Sequence, residues 1–234
     1  MLVKKLAAAA AAAVVMSTAG FGASAAEIVV NGSTTVLPIV QKALEGYSHE
    51  AGAAAISLSG GGSGNGIKAL IDGLTDVAMS SRDIKTSETD LAKSRGVTPY
   101  RIPVAVDAIV PVVNNANPVK NVTLATLKAI YEGKIRNWKD VGGKNAPIVV
   151  VSRDSSSGTF ETWEELVMKK ARVTPRALLQ ASNGTVVQTV AQNTNAIGYI
   201  GLGYVDRQTK ALTIDGKAAT AAAAKTKAWP LSRE

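Results

Sequence analysis

The chain has 234 residues, 46% of them apolar, enough for one large domain or two small ones with real cores. It holds no cysteine and one histidine, His49, which excludes disulfide staples and cysteine-ligated metals and leaves little for a zinc site or a histidine-dependent triad. The formal net charge of +8 is scattered, without a dense basic run or interleaved aromatics, so it points to attraction for anions in general and not to a nucleic-acid footprint.

Residues 1–26 read as a secretory signal peptide. "MLVKK" is a short positive start, "LAAAAAAAVVMSTAGF" is an apolar run short for a bilayer span, and "ASA" at 23–25 supplies a small-residue cleavage site. No cysteine follows that could carry a lipid, so the mature chain is expected to be exported and soluble, in the periplasm. Removing the leader leaves 24 basic against 18 acidic side chains.

"EIVVNG" reads as a strand and "STTVLPIVQKALEGYSHEAG" as the helix after it. Val36, Val40, Ala43, Leu44 and Tyr47 recur at helical spacing, and Pro38 suits a first turn. "AAISLSG" is the next strand and "GNGIKALIDGL" the next helix, with Ile67, Leu70, Ile71 and Leu74 on one side. "DVAMSS" is a short strand and "TSETDLAKSRG" a helix, with Ser87 and Asp90 as its capping box. This βαβα alternation predicts a parallel-type α/β sheet. The apolar run Ile102–Val113 interrupts it, and the cycle then resumes. "TLATLKAIYEG" is helical, "APIVVVS" a strand, "GTFETWEELVMKKA" a helix and "AIGYIGLGYV" a strand. The same architecture on both sides of the run predicts two α/β lobes joined by an extended connection. "AATAAAAKT" is low in complexity and carries no functional signal.

Three strand-to-helix junctions are built alike: "GSTT" (32–35), "SGGGSGNG" (59–66) and "RDSSSGT" (153–159). A helix start has backbone N–H groups without intrahelical partners and a partial positive charge. Glycine admits a ligand close to the backbone, and serine and threonine add hydroxyl donors. Arg153 adds a planar cation suited to bidentate oxyanion binding. Any one of these loops alone is an ordinary N-cap. Three together, at strand C-terminal ends, predict a crevice for a small, highly charged tetrahedral anion.

Other motifs fail. There is no G-x-x-x-x-G-K-[ST], "GGGSGNG" does not satisfy G-x-G-x-x-G, and "GGSGN" misses the G-x-S-x-G elbow by one residue. His49 near a helix end reads as a surface cap. Asp72, Asp76, Asp83 and Asp90 read as surface or capping residues, so no metal site is expected.

Taken in order, "NGSTTVLPIV", "GGGSGNGIKALIDGLTDVAMSSR", "LKAIYEGKIRNWKDVGG", "SRDSSSGTFETW", "AIGYIGLGYV" and "WPLSR" resemble the periplasmic phosphate-binding proteins of ABC transporters, over nearly the whole mature chain. The resemblance implies a type II periplasmic-binding fold, with two α/β lobes, a double-stranded hinge and phosphate dehydrated between the lobes. The first lobe is placed at 27–103, with 228–234 a candidate completion, and the second at 104–227. Thr34, the backbone of Thr35, Ser63, Arg153, Ser157, the Gly158 N–H and Thr159 are the implied phosphate ligands.

Two departures stand out. Some family members carry an aspartate, which accepts the proton of hydrogen phosphate, where this chain has Ser81, a candidate phosphate contact whose hydroxyl can also accept but discriminates less by charge, followed by Arg82. Asp107 is a candidate replacement acceptor or else a hinge residue. Arg82 is a candidate second anion contact or else a partner of Asp83. Family members usually continue past "PLSR" with a strand and a helix, so the resemblance implies that this chain, ending at Glu234, lacks the last part of the first lobe. The expected role is non-enzymatic. A monomer without cofactor, metal or nucleic acid captures inorganic phosphate and passes it to an inner-membrane ABC permease. Sulfate or molybdate binding, phosphate sensing without transport, and a phosphatase-type enzyme with a serine nucleophile are the alternatives. The last is disfavoured because no histidine or metal-ligand cluster neighbours the serines.

Overall fold

The computed structural model describes residues 27–234. The assignment of 1–26 as a signal peptide lies outside them. The first lobe runs β1 (Ile28–Gly32), α1 (Leu37–Tyr47), β2 (Ile56–Gly60), α2 (Ser63–Ile71), β3 (Val77–Met79) and α3 (Thr86–Ser94). Its strands form a parallel sheet in the order β2-β1-β3, with Gly32 level with both Gly60 and Met79. All three strands therefore end on one edge, and the loops that follow them meet there, as the βαβ periodicity predicts.

The second lobe opens with β4 (Asp107–Asn114), then β5 (Asn121–Val122), α4 (Leu124–Tyr131) and a 3-10 turn at Trp138–Val141. Next come β6 (Val149–Arg153), α5 (Gly158–Trp163), which runs on as a π turn over Glu164–Met168, and β7 (Leu178–Gln180). The chain ends with α6 (Asn183–Gln192), β8 (Ala196–Gly201), a 3-10 turn at Leu202–Tyr204, β9 (Thr209–Ala211), β10 (Thr213–Ile214), α7 (Ala221–Lys225) and β11 (Ser232–Arg233). The main sheet has the order β11-β4-β8-β6-β7, with β9 also on β4. Strands β6, β7 and β8 run parallel, whereas β4 is antiparallel to β8, β9 and β11.

The bulk of the core belongs to the second lobe. Trp138, Trp163, Trp229, Tyr131 and Tyr199 are fully buried there among Ile109, Leu127 and Ile197. Trp163 stacks on Tyr199 at 4.3 Å between ring centroids. The first lobe has a small core of Ile67, Ile71 and Ala92 against Ile84 and Val97.

Three expectations are corrected here and one is refined. The apolar face predicted for α1 is not core: α1 buries no residue, and Ala43 and Tyr47 are exposed. The run Ile102–Val113, read as an extended connection, becomes a strand from Asp107; before that it is open to solvent, with Ile102 71% exposed and Tyr100, just ahead of the run, 88%. Together with α1 and α2, the 99–106 segment borders an open, largely apolar cavity of about 420 Å³. Segment 228–234 joins the second lobe's sheet, since β11 pairs with β4, the Trp229 indole N–H donates to the Ile109 carbonyl (2.9 Å), and Trp229 and Leu231 sit in the larger core. Finally, the N-terminal cap of α3 is not a Ser87–Asp90 box. Glu88 reaches back to accept from the Lys85 backbone N–H at 2.9 Å, because the helix begins at Thr86 and places Glu88 in its first turn.

Candidate functional site

The strand ends of the two lobes face each other, and the loops after them interlock. Thr34 and Thr35 follow β1. The Asn183 side-chain amide, at the start of α6, donates to the Thr34 hydroxyl (3.1 Å) and to the Thr35 hydroxyl (3.0 Å). The Asn183 carbonyl oxygen accepts from Gly201 N–H at the end of β8 (3.0 Å), which fixes the orientation of the amide. The Tyr204 hydroxyl donates to the Thr34 carbonyl at 2.6 Å. The Thr35 and Thr159 hydroxyls lie 3.0 Å apart across the cleft.

The second loop contributes Ser63, the first residue of α2. Its hydroxyl accepts from Ser81 N–H (3.1 Å) and lies 3.3 Å from the Ser81 hydroxyl at the end of β3. The third loop closes against this pair. A Cβ added at Gly158 would stand 2.5 Å from the Ser63 oxygen and 2.8 Å from the Ser81 oxygen, so only glycine lets the start of α5 come this near. Gly62, at φ +99°, faces Ser156 in the same way, and Gly64 N–H donates to the Ser156 carbonyl across the cleft at 2.9 Å. The Ser157 hydroxyl caps α5 by accepting from Phe160 N–H (3.2 Å).

Arg153 ends β6 and is 2% exposed. Its Nε donates to the Gln180 carbonyl (3.0 Å) and one terminal nitrogen to the Ala181 carbonyl (2.9 Å), while Nη1 is buried without a hydrogen-bond partner among the described residues. No ion pair among the described residues involves it. Burial pulls its pKa down from the ordinary guanidinium value. Its backbone N–H donates to the Tyr199 hydroxyl at 3.1 Å, and burial pushes that hydroxyl's pKa up to about 12. A buried guanidinium that makes no ion pair among the described residues and keeps one nitrogen unbonded is chemically suited to a dehydrated anion.

Thr34, Thr35, Ser63, Ser81, Gly158 and Thr159 are thus brought together, with Ser157 beside Gly158 and Arg153 at the same strand edge. Two expected contacts are not in the cluster as free groups. The guanidinium of Arg82 is fully used: it makes a paired contact with Glu88 (2.7 and 2.8 Å), one with Glu161 of the other lobe (2.9 Å), and one with the Asp83 carbonyl (2.8 Å). It bridges the lobes rather than facing the anion crevice. Nor is Asp107 an open acceptor, because its carboxylate takes Leu202 N–H (3.0 Å) and the Arg233 guanidinium (2.7 and 2.9 Å).

Sequence reasoning missed two residues. Asn183 lies in "ASNGT", a fourth loop of small polar residues between a strand and a helix, and Ser182 caps that helix by accepting from Thr185 N–H. The same composition signal marks it. Arg233 reaches the Thr159 hydroxyl (3.0 Å) and the Thr35 hydroxyl (3.3 Å), and no local pattern announces that contact.

A family model described as a PBP superfamily domain matches residues 17–233. The chain belongs to the PBP superfamily. Within it, the phosphate-binding protein PstS of Staphylococcus epidermidis is 36% identical over 179 residues, covering 75% of this chain and 54% of the relative. PstS of Bacillus subtilis is 31% identical over 201 residues, covering 86% and 65%. A Clostridium perfringens ABC transporter substrate-binding protein with bound phosphate superposes with a TM-score of 0.82 at 36% identity, covering 89% of this chain and 84% of that one. The chain spans between about half and two thirds of the length of the curated relatives it matches. Its two α/β lobes have the type II arrangement of the superfamily.

Proposed function

We propose that this chain is a solute-binding protein that captures inorganic phosphate between its lobes and delivers it to an ABC permease. One observation carries the reading. Hydroxyls from both lobes meet at the strand ends, with Thr35 and Thr159 3.0 Å apart and Asn183 bonding Thr34 and Thr35, and β6 ends there in a buried arginine whose Nη1 has no hydrogen-bond partner among the described residues. Stripping water from such an anion is costly unless nearly every oxygen receives a donor, and one loop cannot supply that many. Thr34, Thr35, Ser63, Ser81, Arg153, Ser157, Gly158 and Thr159 are the proposed ligands, with Asn183 orienting the two threonines. The reading is supported by the relatives whose printed names are phosphate-binding protein, and by the phosphate-bound neighbour.

The role is binding without turnover, as a monomer exported to the periplasm. Among the described residues no helix is long and apolar enough to cross a membrane, and no cluster of three or more metal-type ligands occurs. Titration calorimetry of the mature protein with phosphate and with sulfate, from pH 5 to pH 9, is the test. Micromolar or tighter phosphate binding without sulfate competition is expected, and absence of phosphate binding would overturn the reading.

A second reading, binding of a fully deprotonated oxyanion such as sulfate or molybdate, is favoured by one feature. Ser81 stands at the end of β3, and the nearby Asp107 carboxylate is already occupied by Arg233. Without an open carboxylate, rejection of sulfate by charge repulsion is weaker. The same titration separates the two.

A further inference from the structure

We propose that Arg233 is a second anion-coordinating guanidinium of the cleft, delivered by the C-terminal strand and held by Asp107. The inference rests on the anion-binding reading above and names a ligand that reading does not contain.

The backbone around Arg233 is firmly placed. Arg233 pairs with Asp107 and Ser232 with Ala108 in the β11–β4 ladder, and Ile109 N–H donates to the Leu231 carbonyl at 2.9 Å. Trp229 and Leu231 anchor the segment in the larger core. The Arg233 side chain is only 6% exposed, and its Nε and Nη2 both donate to one Asp107 oxygen. Nη2 also donates to Thr159 and Thr35, the two threonines that meet across the cleft. The remaining nitrogen, Nη1, is on the same planar fork, buried, and without a hydrogen-bond partner among the described residues.

An arginine serving only as a strut for the hinge would spend its donors on carbonyls and carboxylates. Arg82 does this, with each of its three side-chain nitrogens bonded. Arg233 instead bonds two proposed ligand hydroxyls through Nη2 and holds the adjacent, desolvated Nη1 in reserve. Burial lowers the pKa of both guanidiniums, and at Arg233 the Asp107 carboxylate opposes that shift. Asp107 cancels the added charge. Arg233 therefore supplies strong donors to an oxyanion without leaving a second uncompensated cation in the closed cleft.

The test compares the unaltered protein with Arg233→Lys, Arg233→Met and the double variant Asp107→Asn/Arg233→Met, which removes both charges and avoids stranding the carboxylate. Phosphate, sulfate and molybdate are titrated by calorimetry, melting is followed without anion, and guanidinium nitrogens are followed by NMR. Loss of one charge-assisted contact predicts oxyanion binding about 10- to 100-fold weaker in the double variant at a melting temperature close to the parent's. Two guanidinium signals should shift on adding phosphate to the parent and one to Arg233→Lys. Affinity within twofold of the parent in the folded double variant, with a single shifting guanidinium in the parent, overturns the inference and leaves the anion-binding reading intact. If the parent binds none of the three anions, both fall together.

Discussion

Arg153→Met isolates the energetics of the cleft. In the folded chain the Arg153 guanidinium is dehydrated, donates to two carbonyls and has no ion-pair partner among the described residues. Replacing it with a neutral side chain of similar length removes a desolvation cost of several kcal/mol. It also leaves the Ala181 carbonyl short of a donor, at about 1–3 kcal/mol, while the Gln180 carbonyl keeps the Asp154 N–H. The two effects oppose each other, so the anion-free variant should melt within a few degrees of the parent. Binding has no such compensation. Removing one partner of a buried charge pair costs about 3–5 kcal/mol, which lowers phosphate affinity between about a hundredfold and a few thousandfold. Calorimetry gives the affinity, and thermal melting with and without 10 mM phosphate, as an assay condition of about that order, gives the linked stabilisation. The parent should gain stability on adding phosphate and the variant almost none. An affinity within threefold of the parent, or a collapse of the anion-free variant, would refute the reasoning that Arg153 is held ready for an anion rather than for the fold.

Gly158→Ala should leave each lobe folded by circular dichroism. Its methyl would collide with the Ser63 and Ser81 hydroxyls on closure, so phosphate affinity should fall about tenfold to a hundredfold. Glu161→Gln removes the carboxylate that Arg82 (2.9 Å) and Lys85 (2.5 Å) of the first lobe grip across the cleft. It should weaken phosphate binding about fivefold, with a larger anion-free radius of gyration by X-ray scattering. Glu88 tests the acid limb of stability. Burial pushes its pKa up, but the hydrogen bond from Arg82, the Lys85 N–H and the two nearby cations outweigh that and hold it below the ordinary carboxylate value. A depressed carboxyl contributes stability above its unfolded pKa and loses it as pH falls through the folded one. In urea melts, Glu88→Gln should therefore be less stable than the parent at pH 7, with the gap closing below about pH 4.

The α/β class and the three anion-type loops were legible because their signals are local. A strand ending in glycine and serine, followed at once by helical spacing, needs no knowledge of the rest of the chain. "ASNGT" obeys the same rule and could have been read, but β7 before it has three residues with Leu178 and Leu179 exposed, too short to register as a strand. The apolar stripe of α1 misled for the converse reason: periodicity reports which residues share a face, not whether anything covers that face.

The one-dimensional order of residues determined the chemistry on offer: hydroxyls, flexible glycines and helix starts at three junctions, with Arg153 heading one of them. Which long side chains would serve that chemistry was decided only when the lobes packed. Arg82 sits next to a proposed ligand serine in the chain, yet Glu161, 79 positions away, turns it into a bridge between lobes. Arg233, 74 positions from Thr159, reaches that threonine's hydroxyl. Propensity and periodicity act over a few residues, whereas a buried guanidinium goes where tertiary contact leaves it a carboxylate or carbonyl to satisfy.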